Sequence, residues 1–143
     1  MVLIINKNIE VRKSPIHGYG VFATEDIPAG EILEECHFIL FPQIKKITKA
    51  DPLCAYGFAW PHQTQETLHL NTQLAIPLGT GCVYNSSPNN NAIYTNDLKR
   101  QLIIFSAIKP IKKGEEICTD YEASIAANKQ EGRTYPGWSF TIE

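Results

Sequence analysis

The chain has 143 residues, 43% of them hydrophobic and 20% charged, with 13 basic against 15 acidic side chains and a formal net charge of −2. That length suits one domain over 1–143, able to bury roughly two-thirds of the surface its unfolded form exposes. The charge balance gives no electrostatic footprint for nucleic acid, which usually shows as a basic face, while leaving a basic peptide partner open.

The apolar start Met1-Val2-Leu3-Ile4-Ile5 runs straight into Asn6-Lys7-Asn8 with no basic lead, so neither a signal peptide nor a membrane span is expected. Cys36, Cys54, Cys82 and Cys118 form no Cys-x-x-Cys pair. They read as buried thiols of a reducing compartment rather than zinc ligands, and an intracellular protein is expected, cytoplasmic, nuclear or host-associated.

Ile9-Glu10-Val11-Arg12-Lys13 alternates apolar and charged side chains, the period of a half-buried strand, and Ser14-Pro15 stops it. After a tight loop through Gly18-Tyr19-Gly20, Val21-Phe22-Ala23 is predicted as a second strand. Asp26-Ile27-Pro28-Ala29-Gly30 is a turn, because Pro28 presets φ and Gly30 tolerates φ > 0. Residues 31–41 are predicted as one long strand, and 44–50 as one or two helical turns ended by Pro52.

Tyr56-Gly57-Phe58-Ala59-Trp60 alternates aromatic and tiny residues, which puts three rings on one face of a strand. Residues 61–71 read as a polar loop. The clearest hairpin joins Ala92-Ile93-Tyr94-Thr95-Asn96-Asp97 to Gln101-Leu102-Ile103-Ile104-Phe105-Ser106-Ala107 through Leu98-Lys99-Arg100, local pairing characteristic of antiparallel sheets. Ile111-Lys112-Lys113-Gly114-Glu115 echoes Ile27-Pro28-Ala29-Gly30-Glu31, so a similar turn feeds a strand in both halves. Residues 122–130 carry alanines and are expected to be helical, and Pro136-Gly137 interrupts any regular element nearer the C-terminus.

Three segments carry chemistry. Gly18-Tyr19-Gly20 lets backbone approach a ligand, since glycine lacks the Cβ that would block it. It is not the dinucleotide fingerprint Gly-x-Gly-x-x-Gly, because Ala23 takes the last place. The run from Asn85 to Asn91 is dense in turn-forming side chains. Glu115, Glu116 and Asp120 read as solvated or capping carboxylates, and His17, His37, His62 and His69 are too scattered for a catalytic triad, so no metal is assigned.

Taken in order, Gly18-Tyr19-Gly20-Val21-Phe22-Ala23-Thr24, then Asn85-Ser86-Ser87-Pro88-Asn89-Asn90-Asn91-Ala92, then Gly114-Glu115-Glu116-Ile117-Cys118-Thr119-Asp120-Tyr121, the chain resembles the SET domain of protein lysine methyltransferases. The likeness is to the minimal, mostly microbial members without zinc-binding flanks. It implies a mostly β, β-clip fold of several small antiparallel sheets with a threaded, knot-like C-terminal segment and few short helices. The core would span 9–121, with the tail 122–143 over the cofactor or the lysine channel.

The resemblance also implies roles. Gly18, Tyr19 and Gly20 would hold the methionine end of S-adenosyl-L-methionine, Asn85 would meet the same cofactor, and the backbone of Ser86 its adenine. Tyr121 would be catalytic, beside both the transferring methyl and the acceptor nitrogen. Tyr56, Phe58, Tyr84 and Thr119 would line the substrate-lysine channel, Asn91 would tie two threaded segments, and Trp138, with Tyr135 and Phe140, would form a lid. S-adenosyl-L-homocysteine would be the product, a lysine-bearing protein or peptide the partner, and a monomer or homodimer the working form.

The sequence departs from the family at Ser86 for histidine, Pro88 for cysteine or tyrosine, Asn90 for proline, and Thr119 where Phe or Tyr is common. These departures support a second reading, a SET-like module that binds a peptide without methylating it. A third, a hairpin-rich carbohydrate or interaction module, leaves the ordered motifs as coincidence.

Overall fold

Short β-branched and aromatic runs punctuated by glycine and proline give short strands rather than long ones. A computed structural model describes residues 2–41, 57–60 and 73–120. These form β1 (Ile9–Lys13), β2 (Tyr19–Ala23), β3 (Ile32–Cys36), β4 (Phe38–Phe41), β5 (Phe58–Trp60), β6 (Gln73–Pro77), β7 (Asn85–Ser86), β8 (Ala92–Asp97), β9 (Leu102–Ala107) and β10 (Glu116–Thr119). No helix occurs among the described residues. The strands make three small sheets, β1-β2-β10-β7, β3-β9-β8 and β4-β6-β5.

The β8–β9 hairpin forms as expected, in register from Ala92 opposite Ala107 to Asp97 opposite Leu102. Its turn is pinned by Arg100, whose Nε lies 2.7 Å from Asp97 Oδ2 and whose Nη1 lies 2.6 Å from the buried Glu35 carboxylate on β3. The single strand expected over 31–41 is instead two strands in two sheets. β3 pairs with β9 and β4 with β6, the break falling at exposed His37. β3 is covered on both faces, so Glu34 and Glu35 are buried along with Leu33, and a shift in register between Ile32 and Glu34 marks a bulge. No pattern in the sequence singles out β6 as a strand. The helices expected over 44–50 and 122–130 and the loop expected over 61–71 lie outside the described residues.

The two echoing turns are joined to each other. Ile27 and Ile111 exchange backbone hydrogen bonds of 2.7 and 2.8 Å. Gly30 N donates to Ala107 O as Gly114 N donates to Ala23 O, and both glycines sit at positive φ, +85° and +88°. The segment β2-turn-β3 is therefore mated to β9-turn-β10 in a near-symmetric way, β2 pairing β10 and β3 pairing β9. Val21, Leu33, Ile103, Phe105 and Ile117 fill the core between them.

The threading expected of the C-terminal segment is present as a parallel pair, Cys118 beside Asn85 and Thr119 beside Ser86. Asn91 secures it from the other side. Its Nδ2 donates to Glu116 O at 2.9 Å, its Oδ1 accepts from Cys118 N at 2.9 Å, and its backbone N donates to Cys118 O. One buried amide thus completes the backbone bonding of β10 where no strand reaches. Asn91→Ala should lower stability by about 2–4 kcal/mol, because it leaves a donor and an acceptor of β10 unmet. Urea denaturation followed by circular dichroism checks this, and an unchanged midpoint would remove Asn91 from that role.

Candidate cofactor and substrate site

The sequence motifs lie far apart along the chain, yet the first sheet gathers them. β10 stands between β2, which carries Tyr19 and Gly20, and β7, which carries Asn85 and Ser86. Strand alternation puts Gly20, Glu116, Cys118 and the Asn85 side chain on one face and Val21 and Ile117 on the core face. Asn85 Nδ2 donates to His17 O at 3.1 Å and Tyr19 O at 3.2 Å, so the Asn side chain stitches the glycine loop to the edge of the sheet.

Gly20 is glycine for a steric reason. A Cβ there would lie 2.6 Å from Glu116 Oε1 and 3.0 Å from Asn85 Nδ2. Gly18 is glycine for a conformational one, at φ +49° with open space around it. The Tyr19 side chain is 59% exposed.

Glu116 departs from the expectation of a solvated or capping carboxylate. Its neighbour Glu115 is exposed, but Glu116 turns inward. Oε2 accepts from the Cys118 thiol at 3.4 Å and lies 3.5 Å from Asn85 Nδ2, and the buried Oε1 has no partner among the described residues. Burial and this carboxylate hold the Cys118 thiol up at about 12, so it is an inert donor at neutral pH. The signal was in the sequence: in a strand, Glu116 and Cys118 must share a face.

The aromatic residues expected to line a channel pack with rings from the other sheets. Phe58 meets Tyr94 edge-on, ring centroids 4.6 Å apart, and Phe105 at 6.0 Å, while Tyr84 stacks on Phe105 at 4.3 Å and 14°. Phe58 and Tyr84 thus enter one aromatic cluster. Tyr94, which no sequence motif singles out, joins them. Tyr84 is 1% exposed, and its hydroxyl donates to Glu34 Oε1 at 2.8 Å.

Glu34 also escapes a reading of the sequence, since glutamate in a strand is taken as solvent-facing. It lies under the turn that leads to β7, accepting from the Thr80 hydroxyl and, at 3.3 Å, from Thr80 N. Burial pushes the Glu34 carboxyl above its ordinary range and the Tyr84 phenol well above its own.

Thr119 is 1% exposed, its hydroxyl without a partner among the described residues, and Ser86 stands beside it in register. Tyr56, Tyr121, Tyr135, Trp138 and Phe140 lie outside the described residues. Among the described residues no group of three or more His, Cys, Asp or Glu is placed to hold a metal ion, and no helix is long and apolar enough to cross a membrane.

Small sheets threaded by a C-terminal strand, with a glycine loop and an Asn-bearing segment on either side of it, define the SET class of fold. The SET-domain family model matches residues 18–122, and the chain belongs to that family. Family and fold place it among the methyltransferases that act on lysine.

Its relatives agree. It is 26% identical over 120 residues to the histone-lysine N-methyltransferase of Schizosaccharomyces pombe specific for lysine 37 of H3, covering 82% of this chain and 76% of that protein. A crystal structure from Plasmodium falciparum, described as a histone methyltransferase, superimposes with a TM-score of 0.63 at 28% identity, covering 82% of this chain and 95% of that one. The methyltransferase domain of human PR domain-containing protein 2 shares the fold, with a TM-score of 0.55 at 15% identity over 80% of this chain and 76% of that one.

Proposed function

We propose that this protein transfers a methyl group from S-adenosyl-L-methionine to the side-chain amine of a lysine in a protein, leaving S-adenosyl-L-homocysteine. The observation that carries the reading is the position of β10 between the glycine loop and Asn85, which makes one face out of three motifs. Two features of that face suit the cofactor. Gly20 has no Cβ to collide with the Glu116 and Asn85 side chains packed against it, and Glu116 offers a buried carboxylate oxygen that no described residue satisfies.

The backbones of Gly18, Tyr19 and Gly20 with the Asn85 amide would hold the methionine end, Ser86 the adenine, and Trp138 the lid. When bound, the cofactor supplies an electrophilic methyl on a positive sulfur. The protein has to align a neutral amine with it and exclude water. A free lysine, with a pKa near ~10.4, is protonated at neutral pH. A channel lined by Phe58, Tyr84 and Tyr56 would penalise the ammonium by burial, and the small Thr119 would leave room beside the amine. The Tyr121 hydroxyl would orient the nitrogen, and no dedicated side-chain base is needed.

The S. pombe relative acts on a histone, and a lysine of a basic protein tail, met in the nucleus or cytoplasm by a monomer or homodimer, is the proposed substrate class. Calorimetric titration should give one-to-one binding of S-adenosylhomocysteine. Asn85→Ala should weaken it by about 1–3 kcal/mol, since the carbonyls of His17 and Tyr19 lose their donor. Absence of heat and of any thermal shift would sink the enzymatic reading in favour of the peptide-binding one.

A further inference from the structure

Glu116 combines features that a purely structural carboxylate should not show. A buried charged oxygen without a partner is costly, and such atoms in native proteins are almost always satisfied. Here one oxygen is held and the other is left over. Oε2 is set by the Cys118 thiol and approached by Asn85 Nδ2, while Oε1 lies against the Gly20 backbone, where a Cβ would come within 2.6 Å of it. The arrangement fixes the carboxylate in a single pose beside the glycine loop.

The surroundings define what this oxygen can receive. The strand backbones on either side are engaged in the β2–β10 and β7–β10 ladders, and Asn91 occupies the backbone of Glu116 itself. The His17 and Tyr19 carbonyls both accept from the Asn85 amide nitrogen. With the carbonyls met by Asn85, the Glu116 carboxylate is the acceptor left over, and the group that complements it best is a cationic donor. Arg12 on the adjoining strand β1 is spent elsewhere: its guanidinium lies 4.1 Å over the Phe22 ring and donates to Gly114 O.

We propose that the Glu116 carboxylate is the ionic contact for the α-ammonium group of the cofactor's methionine moiety, a role that rests on the cofactor reading above. The charge-assisted bond would satisfy Oε1 and give the pocket its selectivity for ligands bearing the free amine. Glu116 is then a specificity-determining residue, with Gly20 kept side-chain-free so that the carboxylate has its place.

The test compares ligands on the full-length protein by calorimetry. Glu116→Gln should bind S-adenosylhomocysteine about 10- to 100-fold more weakly than wild type, the range of losing a hydrogen bond to a charged group. Its affinity for the des-amino analogue of S-adenosylhomocysteine and for 5′-methylthioadenosine, which lack the amine, should be unchanged. Equal losses for all three ligands would reduce Glu116 to a structural part, and no loss for S-adenosylhomocysteine would overturn the proposal outright. Should the Gln variant not fold, Glu116→Asp, which keeps the charge but withdraws it by one methylene, is read the same way, with a smaller loss confined to S-adenosylhomocysteine. Wild-type protein that binds none of the three would refute the cofactor reading itself, and that outcome is distinct from wild-type binding without discrimination by the variant.

Discussion

Tyr121→Phe should leave S-adenosylhomocysteine binding intact while methyl transfer falls on the order of 10²-fold or more, the scale of losing one positioned polar group. Tyr121 comes just after β10 in the chain, and Thr119 at the end of that strand is held beside Ser86 by the parallel pairing. The substitution removes one oxygen and keeps the ring. A loss in kcat with cofactor affinity preserved therefore isolates the hydroxyl. Radiolabelled methyl transfer into histones, ribosomal proteins and other lysine-rich proteins, followed by mass spectrometry of the modified residue, is the measurement. Equal transfer by the Phe variant would remove Tyr121 from the mechanism, and label on arginine would overturn the lysine assignment.

Glu34→Ala should be the most damaging single change outside the site, at about 3–5 kcal/mol. It removes the buried carboxylate to which the Tyr84 hydroxyl and both donors of Thr80 are bonded. A domain of this size holds on the order of 5–15 kcal/mol in total, so the variant would be partly unfolded near its working temperature. Affinity should also suffer, because Glu34 anchors the turn that delivers Asn85 to the glycine loop. Thermal denaturation and titration of the same samples test both effects, and a wild-type melting temperature in the variant would refute the anchor.

The pH dependence follows from the direction of the Glu34 shift. Its folded value is raised by burial above that of the unfolded chain, near ~4.3, so the folded state holds this proton more tightly. The stability Glu34 contributes is complete below the unfolded value and is lost as pH rises through the folded one. Glu34→Gln has no proton to lose. Its melting temperature relative to wild type should therefore climb between acid and neutral pH, and a constant difference would mean that Glu34 does not titrate differently on folding.

How far these features could be read in advance depended on whether the relevant signal was local. The β8–β9 hairpin, the twin turns with Gly30 and Gly114, and the glycine loop depend on neighbours in sequence, and all were legible. The break at His37 was not, since 31–41 is uniformly strand-forming and only the pull of two different sheets divides it. Glu34 goes unremarked in the sequence and Glu116 is expected to be solvated for one shared reason. A carboxylate is taken as solvated until partners are known, and theirs come from distant parts of the chain: Thr80 and Tyr84 for the first, Asn85 and Gly20 for the second. Asn91 was found only through the family motif, because a buried amide serving two backbone groups leaves no periodic trace.

The place of β10 also sets an order of events in the life of the chain. It is the last described strand to be synthesised, and it has to enter between β2 and β7, whose facing edges stay unpaired until it arrives. A nascent chain that has emerged only as far as Pro110 can close the β8–β9 hairpin, yet it lacks the face that unites the three motifs. Contacts between segments so far apart in sequence are slow to form, and open strand edges attract other chains while they wait. Chaperone demand should therefore peak just before the final strand emerges, and cofactor added during refolding should trap the completed state without hastening the strand's entry.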